Sequence, residues 1–136
     1  MTTTDLSKLR PGLKGAAEIM VGDEHTAPRV GSGRVRVLAT PVMINMMEAA
    51  ALDAIENLLP PGYQSLGTHL NIGHYAATPV GMRLRANAEV TKIDGRNVEF
   101  RVEAHDDRDR VGDGTHTRVI VNVERFDARV QRKLQP

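Results

Sequence analysis

Three segments in the second half of the chain alternate apolar and polar residues with a period of two, which is typical of half-buried strands. Asp94-Gly95 lies between the first and second segments and predicts a hairpin turn. The polar stretch 106–114 predicts a longer turn between the second and third. In the third segment, Val119, Val121 and Val123 form the predicted apolar face. The three segments are residues 82–91, 97–104 and 118–124.

One long helix precedes these strands. Thr40-Pro41 predicts its start, because threonine can supply a capping oxygen and proline is tolerated at the first helical position. The following turns are apolar nearly all round, so the helix is predicted to be buried and to run to about Leu59. Further strands are predicted at 14–22 and 65–75, and a short docking helix at 126–134. This order predicts an α+β fold in which a curved antiparallel sheet wraps one long central helix.

The length of 136 residues suits one domain. We expect a flexible N-terminal lead-in at residues 1–12 and a single domain at residues 13–136. The net charge of +1 gives no reason to expect binding to nucleic acid or to an acidic membrane. The chain has no cysteine, no apolar run long enough to span a bilayer and no apolar signal segment, so we expect a cytoplasmic protein.

Glu48 is a carboxylate in a helix made largely of methionine and alanine. Burying such a charge is costly unless it is paired or used, although a glutamate that reaches solvent or caps a backbone amide is the plainer alternative. Thr40 lies two helical turns earlier on the same face, with a simple capping role as its alternative. His74 lies near the end of the predicted strand 65–75 and is the third candidate, with an ordinary strand histidine as its alternative. A hydroxyl, a carboxylate and an imidazole are thus candidates to converge, but the pattern alone names no reaction.

Metal chemistry has little support in the sequence. His69 and His74 lie five positions apart, so a regular strand would point them to opposite faces. The acidic residues between Asp106 and Asp109 lack the glycine and terminal glutamate of a calcium loop. We therefore expect no metal and no separate cofactor.

Several short motifs carry a resemblance to a known family. The matching segments are Ala39-Thr40, Met47-Glu48, Ser65-Leu66-Gly67-Thr68, His74, Ala76-Ala77-Thr78-Pro79, Gly81, Gly95-Arg96, Ala104-His105-Asp106, Gly114-Thr115-His116, Arg118 and Glu124-Arg125-Phe126. On these segments, from about residue 36 to the C-terminus, the chain resembles the hotdog-fold thioesterases, and most closely the fluoroacetyl-CoA thioesterase group. That resemblance implies a long helix wrapped by an antiparallel sheet, dimerised with the active site between subunits.

By this resemblance, Thr40, Glu48 and His74 occupy the positions of the catalytic triad, and Gly67 and Arg118 match positions near the bound acyl group. The implied reaction is hydrolysis of a small or short acyl-CoA thioester to the free acid and CoA. Glu48 would either activate water or attack the carbonyl itself, and both routes remain open. The Gly67 amide would help to hold the oxyanion. Arginines and lysines available for the CoA phosphates are Arg34, Arg36, Arg129, Arg132 and Lys133.

The partners implied are an acyl-CoA substrate and a second copy of the chain, with a higher oligomer also possible. An acyl carrier protein in place of CoA stays open as the carrier. The chain departs from the fluoroacetyl-specific pattern at Gly31–Arg36, which has no aromatic residue where that enzyme carries a lid. Selectivity for fluorine is therefore not implied. The alternative function is a non-catalytic hotdog module that binds an acyl-CoA or a hydrophobic acid.

Overall fold

The computed structural model describes residues 5–136, and residues 1–4 of the predicted lead-in lie outside the described range. Short 3-10 turns at Asp23–His25, Glu56–Leu58 and Arg132–Leu134 join or extend the main elements. The strands and helices are β1 (Lys14–Met20), α1 (Ala27–Val30), α2 (Thr40–Ile55), β2 (Tyr63–His74), β3 (Arg83–Asp94), β4 (Asn97–Asp106), β5 (Arg110–Asn122) and α3 (Val123–Gln131).

The five strands form one antiparallel sheet in the order β1-β3-β4-β5-β2, with α2 packed against it. The apolar face of α2 is completely buried at Met43, Met47, Ala50 and Ala51. Facing it are alternate residues of β3 and β4, including Phe100. The predicted α+β hotdog architecture, a long central helix wrapped by a curved antiparallel sheet, is confirmed. The β3–β4 hairpin turns at Gly95, whose φ of 60° is the left-handed conformation that glycine favours.

The helix start differs from the prediction in a way that matters for the site. Ala39 occupies the N-cap position, and Thr40 is already the first helical residue. No side chain caps the helix, so the Thr40 hydroxyl is not a backbone cap. Pro41 still lies in the first turn, where its missing N–H costs no helical hydrogen bond.

The last strand was predicted too short and with the wrong face inward. β5 begins at Arg110, so most of the predicted turn 106–114 is strand. The inward residues are His116, Arg118 and Ile120, whereas Val119 and Val121 are only partly buried. Ile120 belongs to the hydrophobic core, and His116 and Arg118 beside it are hydrogen-bonded within the protein.

The two termini of the described chain differ in how they pack. Leu9, in the predicted lead-in, is buried in the core. α3 covers much of the predicted docking helix, but it has no buried residue, and Leu134 beyond it is 80% exposed. Within residues 5–136, no helix has both the length and the apolar character needed to cross a membrane.

Candidate active site

Thr40 and His74 form the first half of the candidate site. Thr40 stands at the start of α2 and His74 at the end of β2, and the Thr40 Oγ1 to His74 Nδ1 distance is 2.7 Å. The other ring nitrogen, Nε2, is buried and has no hydrogen-bond partner among the described residues. Both side chains border an open cavity of about 300 Å³, which is also lined by Arg34 and Tyr75. An unpartnered imidazole nitrogen beside a hydroxyl is an arrangement that can accept or deliver a proton.

Burial lowers the pKa of His74 below its ordinary value of 6.5, because desolvation disfavours the imidazolium form. The nearby backbone of Ala76 acts on the pKa in the opposite direction and is the smaller effect. The ring is therefore neutral at pH 7. A neutral imidazole can take the Thr40 hydroxyl proton in its hydrogen bond, as a general base requires.

Arg118 is the centre of the second half. Its side chain is only 6% exposed, and its Nε donates to the Ser65 hydroxyl at 2.8 Å. Nη2 donates to the Ser65 carbonyl at 3.1 Å. The Ser65 hydroxyl in turn donates to a Glu56 carboxylate oxygen at 2.8 Å. A buried cation needs this density of partners, since its charge would otherwise be costly to remove from water.

The remaining nitrogen of Arg118, Nη1, faces the predicted catalytic carboxylate. It donates to Glu48 Oε2 at 3.2 Å and lies 3.2 Å from His116 Nε2. His116 Nδ1 donates to the His69 carbonyl at 2.8 Å, so the neutral ring presents Nε2 as an acceptor. Desolvation, with a smaller contribution from the Arg118 charge, lowers the pKa of His116 and favours that neutral form.

Gly67 lies directly over the Glu48 carboxylate. A Cβ at this position would come 2.7 Å from Glu48 Oε2 and 3.1 Å from the His116 ring. Only glycine fits unless the carboxylate moves. The β2–β5 register shifts between Gly67 and His69, and such a bulge redirects the strand at a site.

The five predicted site residues therefore fall into two groups within one chain. Thr40 and His74 bond to each other, and Glu48, Gly67 and Arg118 form a separate cluster. Among the hydrogen bonds of residues 5–136, none joins Glu48 to Thr40 or to His74. Of the cations suggested for CoA phosphates, Arg34 lines the Thr40–His74 cavity, whereas Arg36 is 3.3 Å from Asp23.

Three residues of the cluster were missed by the sequence reasoning. His116 was not among the predicted site residues, yet it lies two residues before Arg118 on the same strand face. The two-residue spacing between His116 and Arg118 was the sequence signal that could have identified His116. Glu56, in the 3-10 turn after α2, bonds to Ser65 near the start of β2 across the connection between them, and no sequence motif predicts their contact.

Solved structures with a similar fold place the protein in a class. A structure of a fluoroacetyl-CoA thioesterase matches with a TM-score of 0.87 and 34% identity, over 92% of this chain and 97% of that one. A thioesterase superfamily member from Thermus thermophilus matches with a TM-score of 0.86 and 30% identity, over 93% of each chain. The fold and these likenesses define a hotdog-fold thioesterase, which is a thioester hydrolase.

The family follows from the sequence comparisons. The model of the fluoroacetyl-CoA-specific thioesterase family matches residues 21–124. The fluoroacetyl-CoA thioesterase of Streptantibioticus cattleyicolor is 42% identical over 97 residues, which are 71% of this chain and 70% of that protein. This chain belongs to the fluoroacetyl-CoA-specific thioesterase family. Membership favours the hydrolase over the non-catalytic binding module.

Proposed function

We propose that this protein hydrolyses a small acyl-CoA thioester to the free acid and CoA, using Thr40, Glu48 and His74. The observation that carries the proposal is the 2.7 Å contact between Thr40 and a neutral His74 whose Nε2 has no partner, beside an open cavity. A variant of a related fluoroacetyl-CoA thioesterase has been solved with acetyl-CoA, which supports a small acyl-CoA as the substrate class.

In this mechanism, His74 acts as general base or acid, and the Thr40 hydroxyl orients or assists the nucleophile. Glu48 activates water or attacks the thioester carbonyl, with Arg118 holding its carboxylate in one direction. The amide of Gly67 and the Arg118 guanidinium supply positive charge for the oxyanion that develops on the carbonyl oxygen. No metal takes part in these steps.

The two halves of the site would converge between two copies of the chain. β2 is an edge strand of the sheet, and residues 66–71 along it are exposed. An unpaired edge of this kind pairs readily with a second copy. If two β2 strands paired antiparallel about a two-fold axis near Leu70 and Asn71, His74 would lie opposite the partner's Gly67. Glu48 and Arg118 of one subunit would then face the Thr40–His74 pair of the other.

Thiol release from a panel of acyl-CoAs tests the activity directly. We expect turnover of acetyl-CoA and similar small thioesters, with a loss of about 100-fold or more for Glu48→Gln and for His74→Ala. Fluoroacetyl-CoA belongs in the panel, because the segment Gly31–Arg36 lacks aromatic residues and we expect little preference for fluorine. Full activity in both variants, or no turnover by the wild type, would refute the mechanism.

Co-expression of two inactive variants tests the shared site. A mixed dimer of Glu48→Gln and His74→Ala subunits has one site with both groups intact if each site draws on two chains. Statistical mixing would then recover about a quarter of wild-type activity. A mixture that stays inactive while light scattering shows dimers would mean that each chain builds its own site.

A further inference from the structure

A small cationic cavity lies at the end of β5, away from Thr40 and His74. It has a volume of about 170 Å³ and sits between the β3–β4 turn and α3. Three of its lining residues are arginines, and none of its described lining residues is acidic. The lining consists of Arg96, Val121, Asn122, Arg125, Phe126 and Arg129.

Two of these arginines are held in place by neutral groups. Arg125 Nη2 donates to the Tyr63 hydroxyl at 3.4 Å, and its backbone N–H donates to Asn122 Oδ1 at 3.0 Å. The Arg129 guanidinium lies 5.7 Å from the centre of the Phe126 ring. The ion pairs found within residues 5–136 include neither Arg125 nor Arg129. The contacts of Arg125 and Arg129 therefore hold the two guanidinium groups in place and leave their positive charge unbalanced.

A second surface cavity shows that this charge excess is local. That cavity is larger, about 480 Å³, and lies on the strands β1, β3 and β4. It carries Lys14 and Arg101, but also Glu89 and Glu103. Arg101 is 3.4 Å from Glu89, so the charges largely cancel. Of these two cavities, the one beside α3 has the character of an anion site.

The cationic cavity is connected to the candidate active site through two paired strands. Tyr63 pairs with Asn122 at the cavity, and Gly67 pairs with Arg118 at the site. These two pairs are four residues apart along β2, which corresponds to about 13 Å of strand. An extended pantetheine chain leaving the thioester can cover that separation.

We propose that Arg125 and Arg129, together with Arg96, bind phosphate groups at the nucleotide end of CoA. This inference rests on the proposed acyl-CoA hydrolysis and assigns where the carrier is held. Arginine is suited to the task because its planar guanidinium donates two parallel hydrogen bonds to a phosphate. The ligand chemistry is a phosphate, and its source is either the 3′-phosphate or the diphosphate of CoA.

Titration calorimetry with CoA itself tests binding independently of turnover. The double variant Arg125→Gln/Arg129→Gln should bind CoA about tenfold more weakly than the wild type, since two charge-assisted contacts are lost. Arg101→Gln is the matched control, being an exposed arginine in the charge-balanced cavity, and should bind like the wild type. Equal affinities of the wild type and the double variant would overturn the proposal, whether or not the protein hydrolyses thioesters.

Kinetics with thioesters that share one acyl group identify the phosphate. The substrates are the acyl-CoA, its 3′-dephospho form and the N-acetylcysteamine thioester, which has no phosphate. We expect the double variant to raise KM for acyl-CoA relative to KM for the N-acetylcysteamine thioester, with kcat unchanged. If the rise disappears with dephospho-CoA, the 3′-phosphate is the ligand; if it persists, the diphosphate is. An equal change for all three substrates would contradict the proposal.

Discussion

The two halves of the candidate site are built in opposite ways. The Thr40–His74 pair is neutral, is joined by one hydrogen bond and borders an open cavity. Arg118 is a buried cation with donated bonds to Ser65 and Glu48. The Glu48 side chain at the end of this network remains 36% exposed. We therefore expect the Arg118 half to matter for stability and, under the proposed mechanism, for turnover, whereas the Thr40 half should matter for turnover with little effect on stability.

Arg118→Met should produce the largest loss of stability. The substitution keeps much of the side-chain volume but leaves the Ser65 hydroxyl, the Ser65 carbonyl and His116 Nε2 without their donor. We expect a loss of about 2–3 kcal/mol in the free energy of unfolding, below the usual cost for a fully buried pair because Glu48 can be partly rehydrated. Urea denaturation at pH 7 measures it.

Arg101→Met is the matched control for that measurement. Arg101 lies on an exposed strand face, 3.4 Å from Glu89, and should change stability by less than about 0.5 kcal/mol. Similar losses in the two variants would show that the buried network around Arg118 adds no more than a surface ion pair. The comparison between the two halves would then be wrong.

Ser65→Ala should have the next largest effect. The Ser65 hydroxyl accepts from Arg118 and donates to Glu56, and both bonds are lost in the variant. We expect a loss of about 1–2 kcal/mol. Thr91→Val is a suitable control, because the Thr91 hydroxyl is exposed and donates to the Glu99 carbonyl at the surface. A Ser65→Ala effect no greater than that of the control would mean that water replaces the lost hydroxyl.

The contrast between the halves also explains what could be predicted from the sequence. Strand alternation and the Asp94-Gly95 turn depend on local chemistry, and β3, β4 and their hairpin were found where predicted. Gly112 and Gly114 made the start of β5 look like a turn. In the structure, a Cβ at Gly112 would lie 2.6 Å from the Met43 sulphur, so this glycine marks close packing against α2.

The resemblance named residues of the candidate site, but not the contacts that hold them. A capping role was the plainer alternative for Thr40, but its hydroxyl makes no capping bond and contacts His74 across the fold. The Ser65–Arg118 bonds join strands far apart in sequence, so their geometry depends on the β2–β5 register. A one-residue bulge after Gly67 sets that register locally, and the sequence carries no distinct signal for it.

The pH dependence of stability should be a smaller effect, and one shared by both halves. Burial lowers the pKa of His74 and of His116 below the ordinary value of 6.5. Below about pH 6.5, these histidines take up protons in the unfolded chain, whereas the buried rings of the folded chain do so only at lower pH. The free energy of unfolding therefore falls as pH decreases from 7 toward the folded-state pKa values. Each histidine contributes no more than about 1.4 kcal/mol per pH unit.

Chemical denaturation between pH 7 and pH 5 separates the two histidines. His74→Asn and His116→Gln should each reduce the slope of stability against pH. A slope unchanged in both variants would mean that other groups cause the acid sensitivity. A change confined to His116→Gln would indicate that the ring of His74 is hydrated enough in the folded state to titrate as it does in the unfolded chain.

Thr40→Val should have the smallest effect on stability and a large one on activity. Thr40 is exposed at the start of α2 and caps no backbone amide, and valine keeps its β-branched shape and has similar helix propensity. We expect unfolding free energy within about 0.5 kcal/mol of wild type and at least a tenfold loss of thioester turnover, because His74 loses its hydroxyl partner. Thr40→Ser keeps the hydroxyl and should retain most activity. If Thr40→Val instead destabilised the fold as much as Ser65→Ala does, the Thr40–His74 hydrogen bond would be a structural contact, and the two halves of the site would not differ in the way proposed.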